Sequence, residues 1–406
     1  MSNKTFQNPF RPGAGHPPPY LAGREKETQE FKKLLTQSVI LENMVLTGLR
    51  GVGKTVLLDT FKPIAIGEGW LWANTDVSET VSVSEKNLAI RLITDLSTLT
   101  SNITVSEQEV KRIGFVSSKS VVETKLDYNF LVYVYENTPG LVSDKLKSVL
   151  ELVWKFVQTS HSAKGIVLAY DEAQNLSDQA KKDEHPLSVL LDVFQSIQKK
   201  GFPIMLVLTG LPTLFPKLVA SRTFAERMFR VVTLTKLNEK SSSEAITRPI
   251  QEKQCPVIFT EHGVGEIIRL SAGYPYFIQF ICREAFDIII QQMEMKDELP
   301  DLVLDSVIRK LDSDFFAGRW NKTTDRQREL LVVISKLENC DDEFTVQEIV
   351  EESKASESKS FSNSHVNQLL RQLADAGLVY KTRFGNYSFA VPLLGQFIER
   401  LKHQRF

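Results

Sequence analysis

Three apolar runs, each bounded by glycine or polar residues, set the pattern of the first half of the chain. Asn43-Met44-Val45-Leu46-Thr47, Gly165 to Tyr170 and Phe202 to Thr209 read as buried strands. Strands covered on both faces of a sheet are apolar throughout rather than alternating. Gly69 to Val77, with Trp70, Leu71 and Trp72, and Val231 to Leu234 read as two more. Between them lie stretches with helical spacing: Glu25 to Leu35, with Phe31, Leu34 and Leu35 on one face, then Val56 to Phe61, Ser84 to Leu99, Leu141 to Ser160 and Leu187 to Lys200. Strands alternating with helices predict an α/β domain built on a parallel sheet. Gln108 to Glu136 departs from this. It alternates polar and apolar residues and is rich in Val, Tyr and Phe, which predicts two or three strands in a hairpin insertion.

From Asn238 the pattern turns helical. Ser241 to Gln254 and Glu261 to Leu270 come first, then a helix opened by Ser271-Ala272-Gly273-Tyr274-Pro275-Tyr276 and running to Ile290, then Pro300 to Phe316. Pro249 falls near the end of the first of these, where a helix tolerates it poorly because proline removes a backbone donor, and leaves that boundary open. Residues 319–406 read as a small separate unit. Helices cover Thr324 to Leu337, Thr345 to Glu352 and Ser362 to Ala376, and a hairpin follows around Arg383-Phe384-Gly385-Asn386. Three helices and a hairpin in that order make a winged-helix layout. At the other end, Asn8 to Pro19 holds five of the chain's 16 prolines. Such a segment is neither helix nor central strand; it is a disordered leader or an ordered strap across another surface. The chain thus divides into 1–19, 20–236, 237–318 and 319–406.

Composition narrows the class. The 406 residues carry a formal net charge of −1 with 42% hydrophobic and 24% charged residues, ordinary values for a soluble multidomain protein. No overall basic field points to nucleic acid. The three cysteines, Cys255, Cys282 and Cys340, are scattered without metal-binding spacing, as expected for a reducing, cytoplasmic setting. No apolar run is long enough to span a membrane, and Met1 to Pro19 lacks the apolar core of a signal peptide.

The chemistry begins at Gly48-Leu49-Arg50-Gly51-Val52-Gly53-Lys54-Thr55, which fits G-x-x-x-x-G-K-[ST] between a strand and a helix. Glycines let successive backbone N–H groups turn inward around a phosphate chain, and the helix N-terminus adds its dipole. Lys54 is expected to reach the β- and γ-phosphates and the Thr55 hydroxyl to ligate Mg²⁺. A second signature closes the strand from Gly165: Tyr170-Asp171-Glu172. Asp171 is expected to hold the hydrated metal and Glu172 to activate water. Thr209 ends another strand, as a γ-phosphate sensor or as a cap for the helix beginning near Leu211-Pro212. Arg222, Arg227 and Arg230 cluster before the last strand.

The order of these signals resembles that of AAA+ ATPases of the initiator-like branch, and also of the signal-transducing (STAND) NTPases, over about residues 20–400. The resemblance implies a P-loop NTPase sheet, an α-helical lid and a C-terminal winged helix, with ATP and Mg²⁺ as ligands. It assigns the adenine pocket to the box Ala22-Gly23-Arg24-Glu25, the sensor to Thr209 and an arginine finger to Arg227, with Arg222 and Arg230 close by. A finger implies a nucleotide-dependent homo-oligomer. Initiator-type members place a sensor arginine where this chain has Gly273-Tyr274-Pro275-Tyr276. That segment is similar to the GxP motif of STAND proteins, so Tyr274 and Pro275 are expected to contact nucleotide, and a slow switch is expected rather than a fast motor. Two roles follow for the winged helix: binding double-stranded DNA during assembly, or docking a protein partner in a signalling or defence ATPase. From Trp320 to Phe406 there are 12 Lys/Arg and 12 Asp/Glu. A DNA-dedicated domain usually has a basic face, and His365, Asn367, Gln368, Arg371, Lys381 and Arg383 are the residues expected to form one.

Overall fold

Five strands, all parallel, carry the α/β part of the chain. The computed structural model describes residues 7–13, 15–105, 124–161, 163–296, 304–355, 360–383 and 385–403. Two units interleave along it: Glu25–Thr47 with Leu57–Thr233, and Met1–Arg24 with Gly48–Val56 and Leu234–Phe406.

In the first unit the strands are β1 (Asn43–Thr47), β2 (Trp70–Asp76), the short β3 (Thr104–Val105) and β4 (Thr124–Lys125), β5 (Gly165–Asp171), β6 (Ile204–Gly210) and β7 (Phe229–Thr233). The main sheet has the order β2-β5-β6-β1-β7. Every residue of β1, β5 and β6 is buried, whereas β2 and β7 are partly exposed, as expected of central and edge strands. Asn43 is buried in β1 and fully used: its Oδ1 accepts from Gln198 Nε2 and Leu206 N, both at 2.8 Å, and its Nδ2 donates to the Met228 carbonyl at 3.2 Å. A buried amide without such partners would be strongly destabilising. The core over the sheet joins Leu88, Leu92, Leu96, Leu150, Val153, Leu190 and Phe194 from helices Glu85–Thr100, Val142–His161 and Pro186–Lys199.

The expected strands over 108–136 are corrected in part. β3 and β4 do pair antiparallel, and 106–123 lie outside the described residues. Tyr128–Asn137, however, is a helix, capped by Asp127 accepting from Phe130 N at 3.0 Å. The segment Tyr-Asn-Phe-Leu-Val-Tyr-Val-Tyr satisfies both periods, since Phe130 and Val134 are even-spaced as well as four apart. Burial of Phe130, Leu131, Val134 and Tyr135 against the neighbouring helices selects the helical one.

In the second unit the proline-rich segment is an ordered strap on the helical region. Asn8 Nδ2 donates to the Arg283 carbonyl at 2.9 Å and to Asp287 Oδ1 at 2.7 Å, and Arg11 N donates to Gln279 Oε1 at 3.1 Å. Phe10 is 1% exposed, packed with Phe259, Ile246 and Phe286. The helices are Glu239–Glu252, Glu261–Ser271, Pro275–Lys296 and Leu304–Leu311; the last continues through a π-helical stretch, Asp312–Ala317, into Gly318–Trp320. Pro249 lies inside the first helix and does not end it.

The C-terminal part holds helices Asp325–Ile334, Val346–Ala355 and Asn363–Asp375 with β8 (Phe344–Thr345), β9 (Val379–Arg383) and β10 (Asn386–Phe389) in the antiparallel order β8-β10-β9. A final helix, Leu394–His403, was not foreseen, nor was β8, which is too short to leave a period. Aromatic rings join this part to the helices before it: Phe316 stacks on Phe277 at 6.0 Å and on Phe397 at 5.0 Å. Arg400 and Asp312 add a paired, two-point ionic contact. Among the described residues no helix is long and apolar enough to cross a membrane.

Phe316 is fully buried and bridges two helical layers. Phe316→Ala should cost about 3–5 kcal/mol, the range for deleting a buried aromatic. Urea unfolding followed by tryptophan fluorescence reads this as a lower midpoint.

Candidate functional site

The glycine loop belongs to the second unit, and four of its carbonyls, those of Gly48, Leu49, Gly51 and Val52, accept from groups of that unit. Lys54 Nζ donates to the carbonyls of Gly48 and Leu49, both at 2.9 Å. Tyr276 N, at the second position of the helix Pro275–Lys296, donates to Gly51 O at 3.1 Å. Arg24 donates from one guanidinium nitrogen to Val52 O at 2.9 Å and to Thr235 O at 2.8 Å. Glycine is required for this closeness. A Cβ at Gly48 would lie 2.5 Å from the Leu234 carbonyl, and at Gly51, where φ is +78°, 3.1 Å from Tyr276 Cβ. The strap reaches the loop as well: a Cβ at Gly15 would stand 3.6 Å from the Thr55 methyl.

Of the residues expected to contact base or nucleotide through the lid, Arg24 is 5% exposed with its side chain on the loop. Gly23 precedes it at φ +63°. Tyr274 packs edge-on to Phe277 at 6.3 Å, and burial, then Asp341, pushes its hydroxyl up to about 12. Pro275 opens its helix, where a missing N–H costs nothing. It is the next residue, Tyr276, that meets the loop. Nothing in the sequence distinguished Tyr276, because the contact is made by its backbone.

In the first unit, strand ends gather the second set. β6 lies between β1 and β5, so Thr209 at its end falls beside Asp171. The Thr209 hydroxyl donates to Asp171 Oδ1, which also accepts from Glu172 N at 2.8 Å. Thr209 is therefore not a helix cap; the helix it was weighed for begins later, at Leu214. Glu172 holds φ +52°, ψ +32°, a left-handed conformation costly for a non-glycine residue and concentrated at functional sites. Its carboxylate accepts from Gln174 Nε2, and Gln174 Oε1 accepts in turn from Leu211 N at 3.1 Å. Gln174 was missed because its role depends on β6 lying alongside. Asp76, in register with Asp171 on β2, was missed too. Burial, then the charge of Asp171, raises the carboxyls of Asp76, at the end of β2, and of Asp59, on the helix Lys54–Gly67, above the usual range, the response of buried acids near another carboxylate.

The three arginines separate clearly. Arg222 forms a two-point pair with Asp192 at 2.8 and 2.7 Å and donates to Ser188 Oγ. Arg230 pairs with Glu42 at 2.9 Å and Glu30 at 3.0 Å. Arg227, on the one-turn helix Ala225–Met228, is exposed and makes no ion pair among the described residues.

A glycine loop with a lysine and a hydroxyl, and a strand ending in paired acids beside a threonine, are the parts of a P-loop nucleotide site. The family model described as AAA ATPase domain matches residues 20–219. Residues 20–219 of this chain are an AAA ATPase domain. The fold is similar to that of two archaeal proteins of solved structure. One is the Walker-type ATPase PABY2304 of Pyrococcus abyssi, 15% identical over 93% of this chain and 96% of that one, with a TM-score of 0.57. The other is the ORC2 protein of Aeropyrum pernix in its ADP form, 12% identical over 97% of each chain, with a TM-score of 0.52. A second model, Domain of unknown function (DUF8462), matches residues 313–398. No curated protein matches the sequence. As an AAA+ ATPase, the chain has a donor set that suits ATP and Mg²⁺. Mg²⁺ is bound through one or two carboxylates and substrate phosphates rather than by an all-protein cage, and among the described residues no group of three or more metal-ligating side chains forms such a cage.

Glu172 is the acid at the strand end that is held by a neighbouring amide rather than by Thr209. Glu172→Gln should bind ATP with affinity near that of the unaltered protein and hydrolyse it about 10²–10⁴-fold more slowly, the usual effect of losing a general base. Phosphate release compared with equilibrium ATP binding separates the two effects.

Proposed function

We propose that this AAA+ ATPase is a switch whose ATP state controls assembly of copies of the chain on double-stranded DNA. Lys54 takes the β- and γ-phosphates, Thr55 and Asp171 hold the metal shell, and Glu172 positions and deprotonates the attacking water. Bound Mg²⁺ supplies neutralising charge on the phosphates. Thr209, donating to Asp171, fixes that carboxylate's orientation. Arg227 acts on the nucleotide of a neighbouring copy; that it has no ion pair among the described residues, against the paired Arg222 and Arg230, is what favours it as the finger.

The C-terminal part is read as a winged helix. The observation that carries the DNA reading is the split of helix Asn363–Asp375. Val366, Leu369, Leu370 and Leu373 are buried, while Gln368 and Arg371 are exposed. Asn367 is half-buried and donates to the Asn363 carbonyl, and the helix leads into the β9–β10 hairpin carrying Lys381. In such a reader the helix offers polar side chains to the major groove and the hairpin follows the backbone.

A second reading, a protein-docking switch, is favoured by one contact. The Arg50 guanidinium of the glycine loop lies against Gly377, 3.3 Å from where a Cβ would stand, at the C-terminal end of that same helix. Burial and then the Arg50 charge hold Arg319 below the usual arginine range. A helix C-terminus attracts cations, so the nucleotide loop itself engages the C-terminal part.

Lys54→Ala should abolish ATP binding with the circular dichroism spectrum intact. Mixed with Arg227→Ala, it should regain ATPase activity above the sum of the two separate proteins, because mixed interfaces join an intact loop to an intact finger. Mixtures that never exceed that sum remove the shared site. For DNA, duplex affinity with ATP should fall with salt at a logarithmic slope of roughly −0.9 per phosphate contact, and Lys381→Ala with Arg383→Ala should flatten it by about two units. A duplex affinity that is absent, or indifferent to both changes, selects protein docking instead.

A further inference from the structure

The arginine of the Gly23-Arg24 pair has a role that its place ahead of the first strand does not suggest. Peptide groups are planar and trans, so the carbonyl of one residue and the N–H of the next point in opposite directions. Tyr276 N holds Gly51 O, which turns the Val52 N–H away from the helix Pro275–Lys296. Arg24 holds Val52 O and so turns the Gly53 N–H away from itself. A phosphate-binding loop needs these successive N–H groups on one side and the carbonyls on the other. The guanidinium also holds Thr235 O, two residues after β7 ends, through the same nitrogen. Arg24 is 5% exposed, and a buried guanidinium spent on two backbone carbonyls is committed to shaping the backbone.

We infer that Arg24 is a positioning residue for phosphate: it holds the Val52–Gly53 peptide with its N–H toward the phosphate chain, and it does not read the base. The inference rests on the assignment of Gly48–Thr55 as the phosphate loop. It distinguishes between parts of the ligand. A base contact affects ATP relative to ligands with another base or none, whereas a loop-shaping contact affects every polyphosphate alike.

The test uses the full-length protein, with ATP, GTP and inorganic tripolyphosphate as probes. Arg24→Ala should weaken ATP and tripolyphosphate by the same factor, about 10- to 100-fold, the size expected for losing a charge-assisted hydrogen bond to a buried carbonyl. The ratio of ATP to GTP affinity should not change. Millimolar guanidinium should restore part of the loss by filling the vacated space, and Arg24→Lys, with one ammonium for the same two carbonyls, should fall between. A loss confined to ATP, or a changed ATP-to-GTP ratio, would return Arg24 to the base and overturn the inference, as would unchanged binding. Collapse of the melting temperature in both variants without recovery in guanidinium would make Arg24 a residue of the fold alone, and overturn it too. Lys54→Ala is the control for the loop: if it leaves tripolyphosphate binding intact, the loop assignment itself is wrong, whatever Arg24 does.

Discussion

A phosphate-binding loop works only while its peptide groups face one way. Six residues of glycine-rich backbone have many conformations available, and every carbonyl that rotates inward replaces a donor with a like-charged acceptor. In this chain the loop is held from outside. Arg24, just after the strap, reaches Val52, the helix after Gly273 delivers the Tyr276 N–H to Gly51, and Lys54 returns to Gly48 and Leu49. These contacts explain why an ordered strap and a helical region share one unit with the loop. They also tie the helical region to the loop, since the helix Pro275–Lys296 grips the loop backbone through the Tyr276 N–H.

The strand-end group follows a different rule. Carboxylates gather there because parallel strands end on the same side of a sheet, and burial first, then the charge of Asp171, raises the carboxyls of Asp76 and of the helical Asp59. Such crowding is destabilising unless hydrogen-bond donors or a cation answer it. Thr209 answers Asp171 and Gln174 answers Glu172. The left-handed backbone at Glu172 adds a further cost, which the hydrogen bonds around it must offset.

The C-terminal part extends the same logic of contact. Aromatic stacking from Phe277 through Phe316 to Phe397 and the Arg400–Asp312 pair make the segment Asp312–Ala317 a junction. π-Helical turns of this kind occur often where a helix serves function. Here one helix face carries the ladder from the loop-gripping helix into the domain that bears the exposed polar face.

Sequence by itself determined the parts whose chemistry lies in consecutive residues. The loop Gly48–Thr55 is one, because its glycines, lysine and hydroxyl act within one turn of backbone; Asp171-Glu172, a weak signal alone since a solvated strand end can look the same, takes its meaning from that loop upstream. The buried strands and most helices were legible for the same reason, since a period of burial is written residue by residue. Tertiary structure decided what depends on neighbours remote in the chain. Tyr128–Asn137 fits two periods, and only packing against its neighbouring helices chose between them. Thr209 could have been a helix cap until β6 was placed beside β5 and its hydroxyl on Asp171. Arg222 and Arg230 differ from Arg227 only in having Asp192, Glu30 and Glu42 within reach. Arg24 reads as part of a short box in the sequence, and its hold on Val52 and Thr235 exists only because the chain returns to it twice, 28 and 211 residues later.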